Sequence, residues 1–95
     1  MDKRRAYEEK FAAQVDQWSA QLAVYKAKTD QATAQAKIDY CEITESLQHK
    51  HDDAKTRLQE LKHASDEAWV DVKKGADNAW TEVKTAFHSA ASKFN

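Results

Sequence analysis

The chain has 95 residues, a third of them charged, with a net charge of -1 and a mean hydropathy of -0.92. That balance supplies no general field for nucleic acid, and one glycine with no proline points to long helices rather than tight turns. The apolar share of 41% is rich in alanine, which argues against a large globular core. A single amphipathic helix of this length would need a partner for its stripe: its own folded-back end, a second chain or a membrane.

The opening MDKRRAYEEKF has basic residues with no apolar run after them, so it reads neither as a signal peptide nor as a membrane span. Phe11, Trp18, Tyr25 and Ala32 recur every seven residues, interleaved with Val15, Leu22, Thr29 and Ala36 at the same period. These are the two positions of a heptad seam, which Tyr7 extends backward. In KAKTDQATAQAK the seam thins to alanines, so this part either lets two backbones approach closely or is loosely held.

Tyr40, Ile43 and Leu47 restore the seam one residue out of step. Cys41, beside them, is the only cysteine, which excludes an internal disulfide and fits a reduced thiol in the cytoplasm. A second thin region follows in HKHDDAKTR, where Ala54 is the only apolar residue, and the spacing of Asp53 and Arg57 suits a solvated helical face. His49, His51, Asp52, Asp53 and His63 resemble a metal-binding group in composition. On a helix, however, His51 points away from the face shared by His49 and Asp53, and structural zinc needs four convergent ligands. No metal or cofactor is therefore expected. The single glycine excludes glycine-rich phosphate loops, and Cys41 has no evident base beside it, so no catalytic residue is assigned.

In the last third, Leu58, Trp69, Trp80 and Ala91 are spaced by eleven, as are Leu61, Val72, Val83 and Phe94, with Phe87 on the same face. Eleven residues make close to three helical turns, so this hendecad repeat predicts one continuous apolar face. Each buried Trp, Leu or Phe on it could contribute about 2 kcal/mol. A break is possible at HASDEAW, where Ser65 can cap a helix with Asp66 and Glu67 in its first turn. A second candidate is residues 75–77, where Gly75 could end a helix, although the stripe stays in phase across it.

The stretches DKRRAYEEKFAAQVDQW, LQELKHASDEAW and AWTEVKTAF, with Ala68-Trp69 and Ala79-Trp80 as the most specific element, carry a resemblance over essentially the whole chain. They resemble the small bacterial coiled-coil-domain proteins of a stress-response family first named from a cyanobacterial reading frame. The resemblance implies a soluble, highly helical cytoplasmic protein associated with stress conditions and with no established enzymatic activity, and it brings no catalytic or cofactor residues.

The expected fold is all-α: one long amphipathic helix, unbroken, kinked or with a C-terminal helical return, in a coiled coil or small helical bundle over residues 1–95. The expected interaction seam is Phe11, Val15, Trp18, Leu22, Tyr25, Ile43, Leu47, Leu58, Leu61, Trp69, Val72, Trp80, Val83, Phe87 and Phe94. A homo-oligomer is expected, with a protein client as a further partner and no nucleic acid. The alternative is peripheral membrane binding by helix 66–94, whose aromatic stripe is accompanied by Lys73, Lys74, Lys84 and Lys93.

Overall fold

The computed structural model describes residues 3–94; Met1 and Asp2 of the opening stretch, and Asn95, lie outside the described residues. The chain forms three long helices, α1 (Lys3–Gln31), α2 (Ala34–His63) and α3 (Asp66–Phe94). They pack against one another as an all-α bundle measuring 51 × 20 × 18 Å. Helices of 29 or 30 residues are about 45 Å long at the helical rise, so each runs nearly the full length of the molecule.

Two connections of two residues each reverse the chain. Thr33 caps α2 with extended backbone (φ -62°, ψ 158°), its hydroxyl accepting from the Ala36 amide at 3.4 Å. Ser65, following Ala64 in extended backbone (φ -70°, ψ 142°), caps α3 with its Oγ accepting from the Ala68 amide at 3.2 Å, and Asp66 and Glu67 are favourably placed in the first turn. No described residue has positive φ. The turns therefore need neither glycine nor proline: a hydroxyl cap with extended backbone at Thr33, or just before the cap at Ala64, accompanies each reversal.

The reversal at Ala32 and Thr33 corrects the expectation of one long helix or one return. The alanine-only stretch after Lys26 contains a turn, so Ala32 and Ala36 do not continue the α1 seam. The turn at Ala64 and Ser65 also divides the eleven-residue repeat, placing Leu58 and Leu61 on α2 and the later members on α3. Gly75 lies inside α3, which runs unbroken through residues 75–77.

The core is a column shared by all three helices. Phe11, Val15, Trp18 and Leu22 enter it from α1, Leu47, Ala54, Leu58 and Leu61 from α2, and Ala76, Val83, Phe87, Ala90 and Phe94 from α3. On α2 the buried positions Thr44, Leu47, His51, Ala54, Leu58 and Leu61 alternate steps of three and four, an unbroken heptad through the stretch expected to face water. His51 is only 8% exposed, so the solvated reading of HKHDDAKTR holds for His49, Asp52 and Asp53 but fails for His51 and Ala54. The buried Thr29 and Thr44 hydroxyls donate to the carbonyls of Tyr25 (2.8 Å) and Cys41 (3.0 Å), which satisfies them within their own helices.

Candidate interaction surface

α2 packs closely along both other helices, whereas the backbones of α1 and α3 stay apart and meet through their side chains. The reason lies in residue size. Ala76, Ala79 and Ala90 are buried on α3, and small residues permit close approach to α2. Between α1 and α3 stands a ladder of rings. Tyr7 meets Trp69 edge to face at 5.8 Å, and Phe11 and Trp18 meet Trp80 at 5.1 and 6.0 Å. Trp18 stacks on Phe87 at 6.1 Å, Tyr25 on Phe94 at 4.7 Å, and Tyr40 of α2 closes the ladder on Phe94 at 4.5 Å. Edge and offset geometries of this kind add about 0.5–1.5 kcal/mol per pair beyond area burial.

All fifteen seam residues identified in the sequence lie in this core or against it, with Tyr25, Ile43, Trp69, Val72 and Trp80 only partly buried. The structure thus brings them together inside one chain. The buried Thr29, Thr44, His51, Ala54, Ala76, Ala79 and Ala90 were absent from that set. For His51 and Ala54, the three-four spacing from Thr44 to Leu61 was the available signal.

Polar clasps hold the end of the bundle that carries the α2–α3 turn. Arg4 Nη2 donates to the carbonyls of Leu61 (2.9 Å) and Ala64 (2.6 Å), and Nη1 to Asp66 (3.0 Å), while the guanidinium lies over the Trp69 ring at 5.7 Å. The last carbonyls of α2 are thereby capped from α1. One turn further, the Tyr7 hydroxyl donates to Asp77 Oδ1 at 2.5 Å and Lys73 Nζ to Oδ2 at 2.9 Å, with the same ammonium 4.7 Å from the Tyr7 ring. Burial pushes the Asp77 carboxyl up, but the hydrogen bonds from Tyr7 and Lys73 and the Lys73 charge outweigh it and hold Asp77 below the usual carboxylate range. Burial, and then Asp77, raise the Tyr7 hydroxyl well above its ordinary value.

Open depressions flank the core, among them one between α1 and α3 and one between α2 and α3. The α1–α3 groove, about 580 Å³, has Trp18, Tyr25, Trp80 and Phe87 as its floor and Lys10, Gln14, Gln21, Lys84 and His88 along its rims. Lys10 lies 5.9 Å over the Trp80 ring. The α2–α3 cleft, about 300 Å³, is lined by Ile43, Leu47, Ala86 and Ala90, with Glu42 and Lys93 among its polar residues. His49, Asp52 and Asp53 are exposed while His51 turns inward, and among the described residues no three His, Cys, Asp or Glu side chains converge as a metal site would require. Among the same residues, no helix is long and apolar enough to cross a membrane. No family model, curated protein or solved structure matches the chain.

Proposed function

We propose that the protein is non-enzymatic and acts as a small helical bundle in the stress response, in a structural or protective role, through self-association and contact with a protein client in the cytoplasm. The observation that supports this reading is the division of the apolar surface. The seam is used within the chain, while Val24, Ile38 and Val70 stand exposed at 52%, 65% and 58% and open depressions lie beside the core. Association then uses the outer face and leaves the core intact. The resemblance of the LQELKHASDEAW and AWTEVKTAF stretches to the stress-response family points the same way.

The membrane-surface alternative for helix 66–94 requires α3 to turn Val83, Phe87 and Phe94 outward, yet these residues are buried against the rest of the bundle. It ranks second for that reason. Sedimentation equilibrium of the reduced chain, without lipid or metal, tests the first reading: a mass above one chain that grows with concentration is expected. A strictly monomeric chain whose tryptophan emission shifts to the blue on anionic vesicles would overturn it in favour of the membrane.

A further inference from the structure

We infer that the α1–α3 groove receives the outward stripe of α2 from a second copy of the chain, so that copies add head to tail. The inference rests on the self-association proposed above and names the two surfaces that carry it. The rims of the groove carry cationic side chains. Lys10, Lys84 and His88 line it, the nearest carboxylate, Asp77 beyond its Lys10–Trp80 end, is paired with Lys73, and among the described residues neither Lys10 nor Lys84 has a carboxylate within ion-pair distance. Of its aromatic floor, Tyr25 and Trp80 are only partly buried and would gain by exclusion of water.

The complement lies on the far side of the bundle, because α2 packs against both other helices and the groove opens between those two. Ile38, Glu42, Glu45, His49 and Asp52 follow steps of four and three on α2, opposite the heptad that faces the core, and all five are exposed. Three are acids. Ile38, at 65% exposure, is the most exposed large apolar residue of the chain among those described. Lys55 lines the same shallow depression as Asp52, and Lys93 the same cleft as Glu42, so both ends of the stripe are partly offset in charge and Glu45 at its middle carries the pairing.

Length matches as well as charge. From Lys10 to Tyr25 the groove runs about 22 Å along α1, and from Ile38 to Asp52 the stripe runs about 21 Å, both at 1.5 Å per residue. An isoleucine and three carboxylates on one stripe thus face an aromatic floor edged by two lysines and a histidine. Since the two surfaces differ and lie on opposite sides, the contact is heterologous, and each added copy offers a fresh groove or a fresh stripe.

Two exposed substitutions test the pairing, Lys84→Glu in the groove rim and Glu45→Lys on the stripe, with far-UV helicity confirming that each variant is folded. Wild type should show a broad, concentration-dependent mass distribution in sedimentation equilibrium. Each variant alone should weaken association by about tenfold, through like charges brought face to face. An equimolar mixture should restore association, because the reversed charges of one variant meet those of the other and an unaltered groove meets an unaltered stripe. If wild type associates and both variants associate equally well, the surfaces are wrong while self-association stands. Failure of the mixture to recover overturns the pairing in the same way. A wild type that stays monomeric at millimolar concentration overturns both proposals. If phosphatidylglycerol vesicles then shift its tryptophan emission but not that of Lys84→Glu, the groove serves an anionic surface.

Discussion

Tyr7, Lys73 and Asp77 form a small unit whose chemistry sets a dependence on pH. Asp77 titrates below its ordinary range in the folded chain, so the stability it contributes is present above about pH 4 and is lost as pH falls through the lower folded value. Tyr7 is raised above 10.0, so its contribution is present below pH 10 and is lost as pH rises beyond that value. Tyr7→Phe removes the hydroxyl that donates to Asp77, leaving Lys73 as its partner. The variant should therefore melt lower than wild type at pH 7, with a gap that narrows below pH 4 and again above pH 10. Melting temperatures measured across both limbs check this, and a gap constant over the whole range would show that Tyr7 acts through packing alone. Because Asp77 is about half exposed, solvent screening keeps the acid-side change small. None of this was legible in the sequence: Tyr7 and Asp77 are 70 residues apart, and only the parallel course of α1 and α3 brings them together.

At the scale of the helix, periodicity was the informative signal and residue identity misled. The α1 seam from Phe11 to Leu22 and the α3 stripe from Trp69 to Phe94 were readable because large side chains marked every second step or better. On α2 the same heptad passes through Thr44, His51 and Ala54, whose polarity or small size hid it. The turn at Thr33 was hidden for another reason. Scarcity of glycine and proline argues against tight turns, whereas a hydroxyl cap on extended backbone demands neither residue. Ser65, the twin of Thr33, was recognisable through the acids that follow it. Gly75 is the converse case, a helix-breaking residue that breaks nothing. A β-carbon there would meet only the end of the Arg57 side chain at 3.7 Å, ordinary van der Waals contact. Gly75→Ala should therefore stabilise the protein by about 0.5–1 kcal/mol, raising the melting temperature by a few degrees. A lower melting temperature would mean that α2 and α3 are packed too tightly at that level to admit a methyl group.

For the whole molecule, the decisive fact is that neither α1 nor α3 has a complete apolar partner without α2, while α1 and α3 face each other mainly through the ring ladder. Separation of α1 from α3 uncovers large side chains on both, since Trp18 stacks on Phe87 and Tyr25 on Phe94. Such mutual dependence predicts a single cooperative transition. In urea, the loss of far-UV helicity should coincide with the change in tryptophan emission, since Trp18 reports from α1 while Trp69 and Trp80 report from α3. Val83, 1% exposed in the middle of α3, gives the mutational form of the same test. Val83→Ala should lower both midpoints together, by an amount equivalent to about 1–3 kcal/mol. Were the emission change to precede the loss of helicity, α3 would be separating as an intact helix with its aromatic face uncovered. That outcome would give the membrane-surface alternative the open state it needs, whereas coincident transitions leave the closed bundle as the species whose outer surfaces must carry the function.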